Sequence, residues 1–152
     1  MIPARVYPLE ITPMSAAALA KVTALQNIVA QAPQIDMPTQ HVFHAGMYAR
    51  TICLPAGCVL TGALIKIATL LIVSGDATVF TGADPVRLTG LHVVPASAGR
   101  KQAFIAHSDT HITMIFTTQA ATVDAAEREF TDESDLLMSH HSRNEVIQGE
   151  PT

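Results

Sequence analysis

From position 41 to position 118 the chain alternates short apolar or β-branched runs with Gly, Pro and Asp punctuation. The runs cover residues 47–54, 58–73, 77–81, 86–95, 101–107 and 110–117. Turns are announced by Pro55-Ala56-Gly57, Ser74-Gly75-Asp76, Gly82-Ala83-Asp84-Pro85 and Ser108-Asp109. These residue types supply the special backbone angles and local hydrogen bonds that turns need. Many short strands at this spacing predict an all-β sandwich or barrel. Gly62, in the middle of a run, predicts a bend or a close backbone approach.

The two ends follow a different period. Residues 1–12 read as extended and irregular, with Pro3 and Pro8, and Pro13 directly after. Ser15 is placed to cap a helix running to about Ala32, where Pro33 ends it. Met14, Ala18, Val22, Leu25 and Val29 form one apolar stripe on that helix, which needs cover from a sheet or a second subunit. Beyond Thr118 the chain turns acidic and helical. Asp124–Phe130 reads as one short helix, and Thr131 caps another, with Asp132 and Glu133 in its first turn. Residues 142–152 are polar and expected to fray. The 152 residues suit one domain: an arm and helix over 1–36, a barrel over 37–118 and an acidic helical tail over 119–152.

Charge adds to this picture. The net charge is −4, but the middle is basic and the tail acidic. Residues 37–118 carry Arg50, Lys66, Arg87, Arg100 and Lys101 against three acids, whereas residues 119–152 carry eight acids against Arg128 and Arg143. An acidic whole argues against a nucleic-acid polymer as partner. A few cations in an apolar middle fit a small anionic ligand better. Cys53 and Cys58 flank a turn at a spacing that is neither C-x-x-C nor a zinc pattern, and read as reduced. The start of the chain lacks a charged, then apolar, leader. The longest apolar stretch, around Ile67–Val73, is too short to span a membrane. A cytoplasmic location is expected.

The segments Leu54-Pro55-Ala56-Gly57, Leu70–Ala77 and Leu88–Ala96 resemble, in order and spacing, the strand–turn motifs of cupins. The likeness covers about half the chain. It implies a mainly β fold, a double-stranded β-helix or jelly-roll barrel, with an N-terminal helix and short C-terminal helices added. His44–Arg50, Thr61–Lys66, Pro95–Gln102 and Phe130–Glu133 are more closely similar to a group of short cupin-like proteins of bacteriophage and prophage genomes. The resemblance also marks a departure. The places of the usual cupin metal ligands fall near Thr61, Ala63, Ala68 and Arg100 to Gln102. None is a usual metal ligand, and a cation repels a divalent metal. No cofactor is expected.

Seven histidines invite a metal reading. His41 and His44 point to different sides of a strand, His107 and His111 flank a turn, and His140 and His141 lie near the tail end. Surface or hydrogen-bonded histidines are the expectation. The cations say more. Burying a charge in an apolar barrel is costly unless it is paired, and residues 37–81 offer one acid, Asp76. If Arg50, Lys66, Arg100 and Lys101 face inward, a ligand phosphate or carboxylate is the missing counter-charge. If they do not, they reach the rim or pair with the acidic tail. Tyr48, Thr61, Gln102 and His44 would complement them with a ring, a hydroxyl, an amide and a switchable donor. The set suits a nucleotide or sugar phosphate.

Three functions follow, in this order. The first is a metal-free module that sequesters a small anionic or nucleotide-like molecule. The second is a structural or assembly protein without a ligand. The third is a metal-independent isomerase, epimerase or lyase using His44, Tyr48 or Lys66 as acid or base. Nucleophile elbows, paired barrel carboxylates and Gly-rich phosphate loops are absent from the sequence. A homo-oligomer built on a dimer is expected.

Overall fold

The structure is a computed structural model, and it describes residues 9–82 and 84–150. Most of the expected extended arm, and the leader reading, lie outside the described residues. Among the described residues, eight strands form one sheet: β1 (Thr39–His44), β2 (Met47–Leu54), β3 (Val59–Thr61), β4 (Thr69–Phe80), β5 (Val86–Ala96), β6 (Ala103–Ala106), β7 (Thr110–Thr117) and β8 (Asn144–Gln148). Helices α1 (Ala16–Val29) and α2 (Val123–Phe130) lie at either end, followed by two 3₁₀ turns, Ser134–Leu136 and Met138–His140. The fold is mainly β, with an N-terminal helix and short C-terminal helices.

The sheet runs β3-β6-β4-β7-β2-β1-β8, with β5 pairing β4. Strand β5 holds one edge of β4 from Thr69 to Val79. The other edge is shared: β7 pairs Leu70–Ser74 and β6 pairs Ala77–Phe80. The sequence suggests a turn at Ser74-Gly75-Asp76, but the strand runs through. Gly75, at φ +147, sits where β4 changes partner. Splitting one edge between two strands curls the sheet into a half-barrel.

Period-2 alternation decides which side chains fill the curl. Inside β4 are Leu71, Val73, Ala77 and Val79; inside β7 are Ile112, Met114 and Phe116. Register aligns them. Arg50 on β2 lies across from Met114, which lies across from Leu71. One apolar cluster results, into which Phe130 of α2 also packs.

Local rules explain the connections. Ala45 and Gly46, between β1 and β2, both take positive φ, as a two-residue type I′ hairpin requires. The Ser15 hydroxyl accepts from Ala18 N and caps α1. Ala18 and Val22 of the α1 stripe are buried, while Ile28 stays exposed. The expected frayed end instead contains β8, which pairs parallel with β1, Thr39 opposite Asn144. The second helix expected from a Thr131 cap is instead a short 3₁₀ turn with Glu133 in its cap position and no side-chain cap bond; the Thr131 hydroxyl accepts from Glu133 N.

Candidate functional site

Inside the curl lies a half-open cavity of about 150 Å³. Its walls are apolar side chains of β2, β4, β6 and β7, closed by Phe130 and by Leu136, Leu137 and Met138. Four residues singled out from the sequence line it: Arg50, Thr61, Arg100 and Gln102. Gly62 makes the close approach expected of it, donating its N–H to Gln102 O at 2.8 Å. This clamp holds the Gln102 backbone against β3.

Arg100 is the most unusual group. It is 1% exposed, and no carboxylate lies within salt-bridge distance of it among the described residues. Its donors meet neutral acceptors instead. Nη1 donates to Ser97 O at 2.8 Å and Ile67 O at 3.2 Å, and Nη2 donates to Thr69 Oγ1 at 2.7 Å. The second Nη2 hydrogen faces only Met114 Sδ at 3.7 Å, a weak acceptor. Burial pulls its pKa down to about 10, which leaves it charged at neutral pH.

Gln102 completes this corner. Arg100 Nε donates to Gln102 Oε1 at 3.2 Å, which fixes the amide orientation. Gln102 Nε2 is then buried and without a partner among the described residues. Buried donors are rarely left so.

Arg50 has a different environment. Its Nη1 lies 2.7 Å from Glu127 Oε2, and its guanidinium carbon sits 5.6 Å from the centre of the Phe130 ring. Glu127, 1% exposed, also accepts from Ser139 Oγ and bonds His140 Nε2 at 3.0 Å. The sequence does carry a signal for Glu127. Val123, Ala126, Glu127 and Phe130 sit at i, i+3, i+4 and i+7, so a carboxylate interrupts the inward stripe of α2.

The remaining candidates are elsewhere. Tyr48 is fully buried between Phe43 and Phe116, so its ring is not free to stack on a ligand. His44 is exposed at the β1–β2 end, where its Nδ1 accepts from Glu150 N. Lys66 is exposed and pairs with Asp132 at 2.7 Å. Lys101 is buried, but pairs with Glu133 at 3.1 Å. These two lysines fasten the tail segment that closes the cavity, rather than converging with Arg50 and Arg100 inside it. Glu133 also accepts from Leu64 N, and Thr131 Oγ1 donates to Leu64 O.

A partly buried polar chain joins the site to the tail. Asn144 Nδ2 donates to Ser139 O, so Asn144 Oδ1 accepts from His41 Nε2 at 2.7 Å. His41 Nδ1 must then accept from the Tyr48 hydroxyl, 2.6 Å away. That tautomer requires a neutral imidazole. Burial, opposed by the Asn144 hydrogen bond and helped by Arg50, lowers the His41 pKa from its usual 6.5. For Glu127, burial raises the pKa, but bonds from Ser139 and Arg50 and the Arg50 charge outweigh it, and the net shift is downward from 4.5. Both shifts have the same linkage sign: each group binds a proton less readily when folded. Stability is therefore full above about pH 6.5. It falls as pH drops through the lowered His41 pKa, and falls again below about 4.5 as Glu127 protonates. Urea melts from about pH 8 to about pH 3 should show this. His41→Gln should flatten the upper limb; an unchanged limb would contradict the assignment.

The cavity does not fit the metal that a cupin likeness implies. Among the described residues its lining holds no His, Cys, Asp or Glu, and Arg100 occupies it. One group of possible ligands lies outside it, Asp124, Glu127 and His140, within 4.8 Å of one another. There Arg50 already engages Glu127. A larger and more open groove, about 570 Å³, lies beside Met47, Leu70 and Ile115. Glu129 is the one charged group in its lining, so the inner cavity carries the more specific chemistry.

These features define a half-barrel β protein with a half-open, cation-bearing cavity. Solved structures similar to it include a cupin superfamily protein from Desulfitobacterium hafniense, at 15% identity and a TM-score of 0.47, over 76% of this chain and 100% of that one. A cupin 2 conserved barrel domain protein from Salinispora arenicola matches at 16% and 0.46, over 66% and 92%. The DMSP lyase DddQ from Ruegeria pomeroyi matches at 15% and 0.42, over 81% and 82%. No protein-family model and no curated protein matches the chain. No helix among the described residues is long and apolar enough to cross a membrane.

Proposed function

We propose that this chain is a metal-free, cupin-like small-molecule-binding protein that takes an anionic ligand into the cavity of its half-barrel. One observation carries the reading: Arg100 is a buried guanidinium on the cavity wall with no acidic partner among the described residues. A charge in that position is costly unless something compensates it. Neutral acceptors compensate part, and an anion entering the cavity would compensate the rest. The likeness to short phage-type proteins supports a host-cytoplasm setting for the same role. An assembly role has its own support, because Leu70, Leu91 and Val93 stay exposed on β4 and β5.

Thermal shift against acetate, 3-methylbutanoate, benzoate, sulfate and inorganic phosphate tests the binding reading. At least one anion should raise Tm at millimolar concentration. Arg100→Met, checked for folding by circular dichroism, should bind that anion about tenfold or more weakly, since a charged hydrogen bond contributes roughly 1.5–3 kcal/mol. If no anion shifts Tm, the reading fails and assembly becomes the better one.

A further inference from the structure

We infer that the ligand is a monocarboxylate with a compact apolar body, seated on Gln102 Nε2 and the Nη2 edge of Arg100. This rests on the anion-binding reading above and narrows it on three grounds.

The first ground is a count of charges. Arg50 is neutralised by Glu127, Lys66 by Asp132 and Lys101 by Glu133. Arg100 alone of these four cations has no acid beside it among the described residues. One positive charge is therefore open. A monoanion closes the count. A phosphate dianion would leave a buried negative charge, and a neutral ligand would leave the positive one, and both are unfavourable in an apolar site.

The second ground is the pair of donors. Among the described residues, Gln102 Nε2 has no partner, and one Arg100 Nη2 hydrogen has only a thioether sulfur. Both donors belong to buried side chains on the cavity wall. The two side chains are already joined by the Arg100 Nε–Gln102 Oε1 bond, and a carboxylate offers two oxygens, one to accept from each open donor.

The third ground is size and lining. About 150 Å³ is well below the roughly 300–1,000 Å³ of pockets for drug-sized ligands. Apolar cavities of about 150 Å³ hold a benzene-sized body. Here Ile52, Leu71, Phe104, Ile112, Met114 and Phe130 form such walls. The nucleotide or sugar phosphate suggested by the sequence is too large and carries too much charge.

Calorimetry on the intact protein tests this with benzoate, 3-methylbutanoate, their neutral amides, malonate and inorganic phosphate. One carboxylate should bind one-to-one, at least tenfold tighter than its amide and than either polyanion. Gln102→Glu is the sharper variant. It places a carboxylate beside Arg100 Nε and supplies the missing counter-charge from within. Its Tm should rise by about 3 °C or more, and carboxylate affinity should fall at least tenfold. Gln102→Leu removes the donor without adding charge and should also bind about tenfold more weakly, which settles the matter if Gln102→Glu does not fold. Phosphate binding as tightly as benzoate overturns the monocarboxylate while leaving anion binding intact. Equal binding of amide and acid, or wild-type affinity in both Gln102 variants, overturns it as well. If no probe binds, both readings fall together.

Discussion

Glu127→Ala is expected to destabilise the protein by about 3–5 kcal/mol, the usual cost of breaking a buried ion pair by removing one partner. The Arg50 side chain is 10% exposed and Glu127 1%, so Arg50 would be left as an unpaired charge in an apolar core. Ser139 and His140 would also lose their acceptor. Those two residues hold the end of the segment that closes the cavity, so the loss reaches from the core to the site's covering. Urea denaturation at pH 7 gives the measurement. Arg50→Met combined with Glu127→Leu should recover most of the loss, because an apolar pair of similar volume often replaces a buried ion pair without penalty. A single-mutant loss below about 1 kcal/mol would place the pair in the weak, solvated class and remove the basis for counting Arg50 as neutralised.

The sequence was most informative where local chemistry decides structure. The runs at 47–54 and 110–117 coincide with β2 and β7, because turn residues bound both runs, and in β7 buried Ile112, Met114 and Phe116 alternate with His111, Thr113 and Thr117. Ser15 and Pro33 bound α1 closely for the same local reason. Strand β8 was hidden. All five of its residues are exposed, and its order comes from the parallel ladder to β1, a long-range pairing that leaves no apolar period. The site divides in the same way. Arg100, Lys101 and Gln102 are consecutive, and the structure sends Arg100 and Gln102 to the cavity while Lys101 reaches Glu133. Alternation along an extended chain accounts for that split, but the sequence alone does not say which set faces in. Pairing of both lysines with the tail depends on tertiary placement of residues 132 and 133, about thirty and sixty-five positions away. Glu127 was legible as a misfit on a helical stripe; its partner was not.

Gly75→Ala is expected to cost about 3 kcal/mol or more, enough to bring a marginally stable domain near unfolding. Two effects combine. At φ +147 the residue lies where side chains are rarely tolerated. A Cβ there would also stand 2.8 Å from Asp109 O and from Thr110 Cα, and 2.6 Å from Thr110 Oγ1. Two of these three are backbone atoms at the start of β7, which cannot rotate away. Relief would require β7 to move from β4 where the two strands diverge, and β7 carries Ile112 and Met114 into the cavity wall. Ligand affinity should therefore fall along with stability. Gly90 provides the control. It pairs with Gly75 across the hairpin and also has positive φ, at +84, but a Cβ there meets nothing within 4 Å. Gly90→Ala should lose only the conformational part, about 1–2 kcal/mol. Denaturant midpoints of the two variants, measured side by side, separate backbone strain from collision. Equal losses would mean that the close approach of Thr110 to β4 does not constrain the half-barrel.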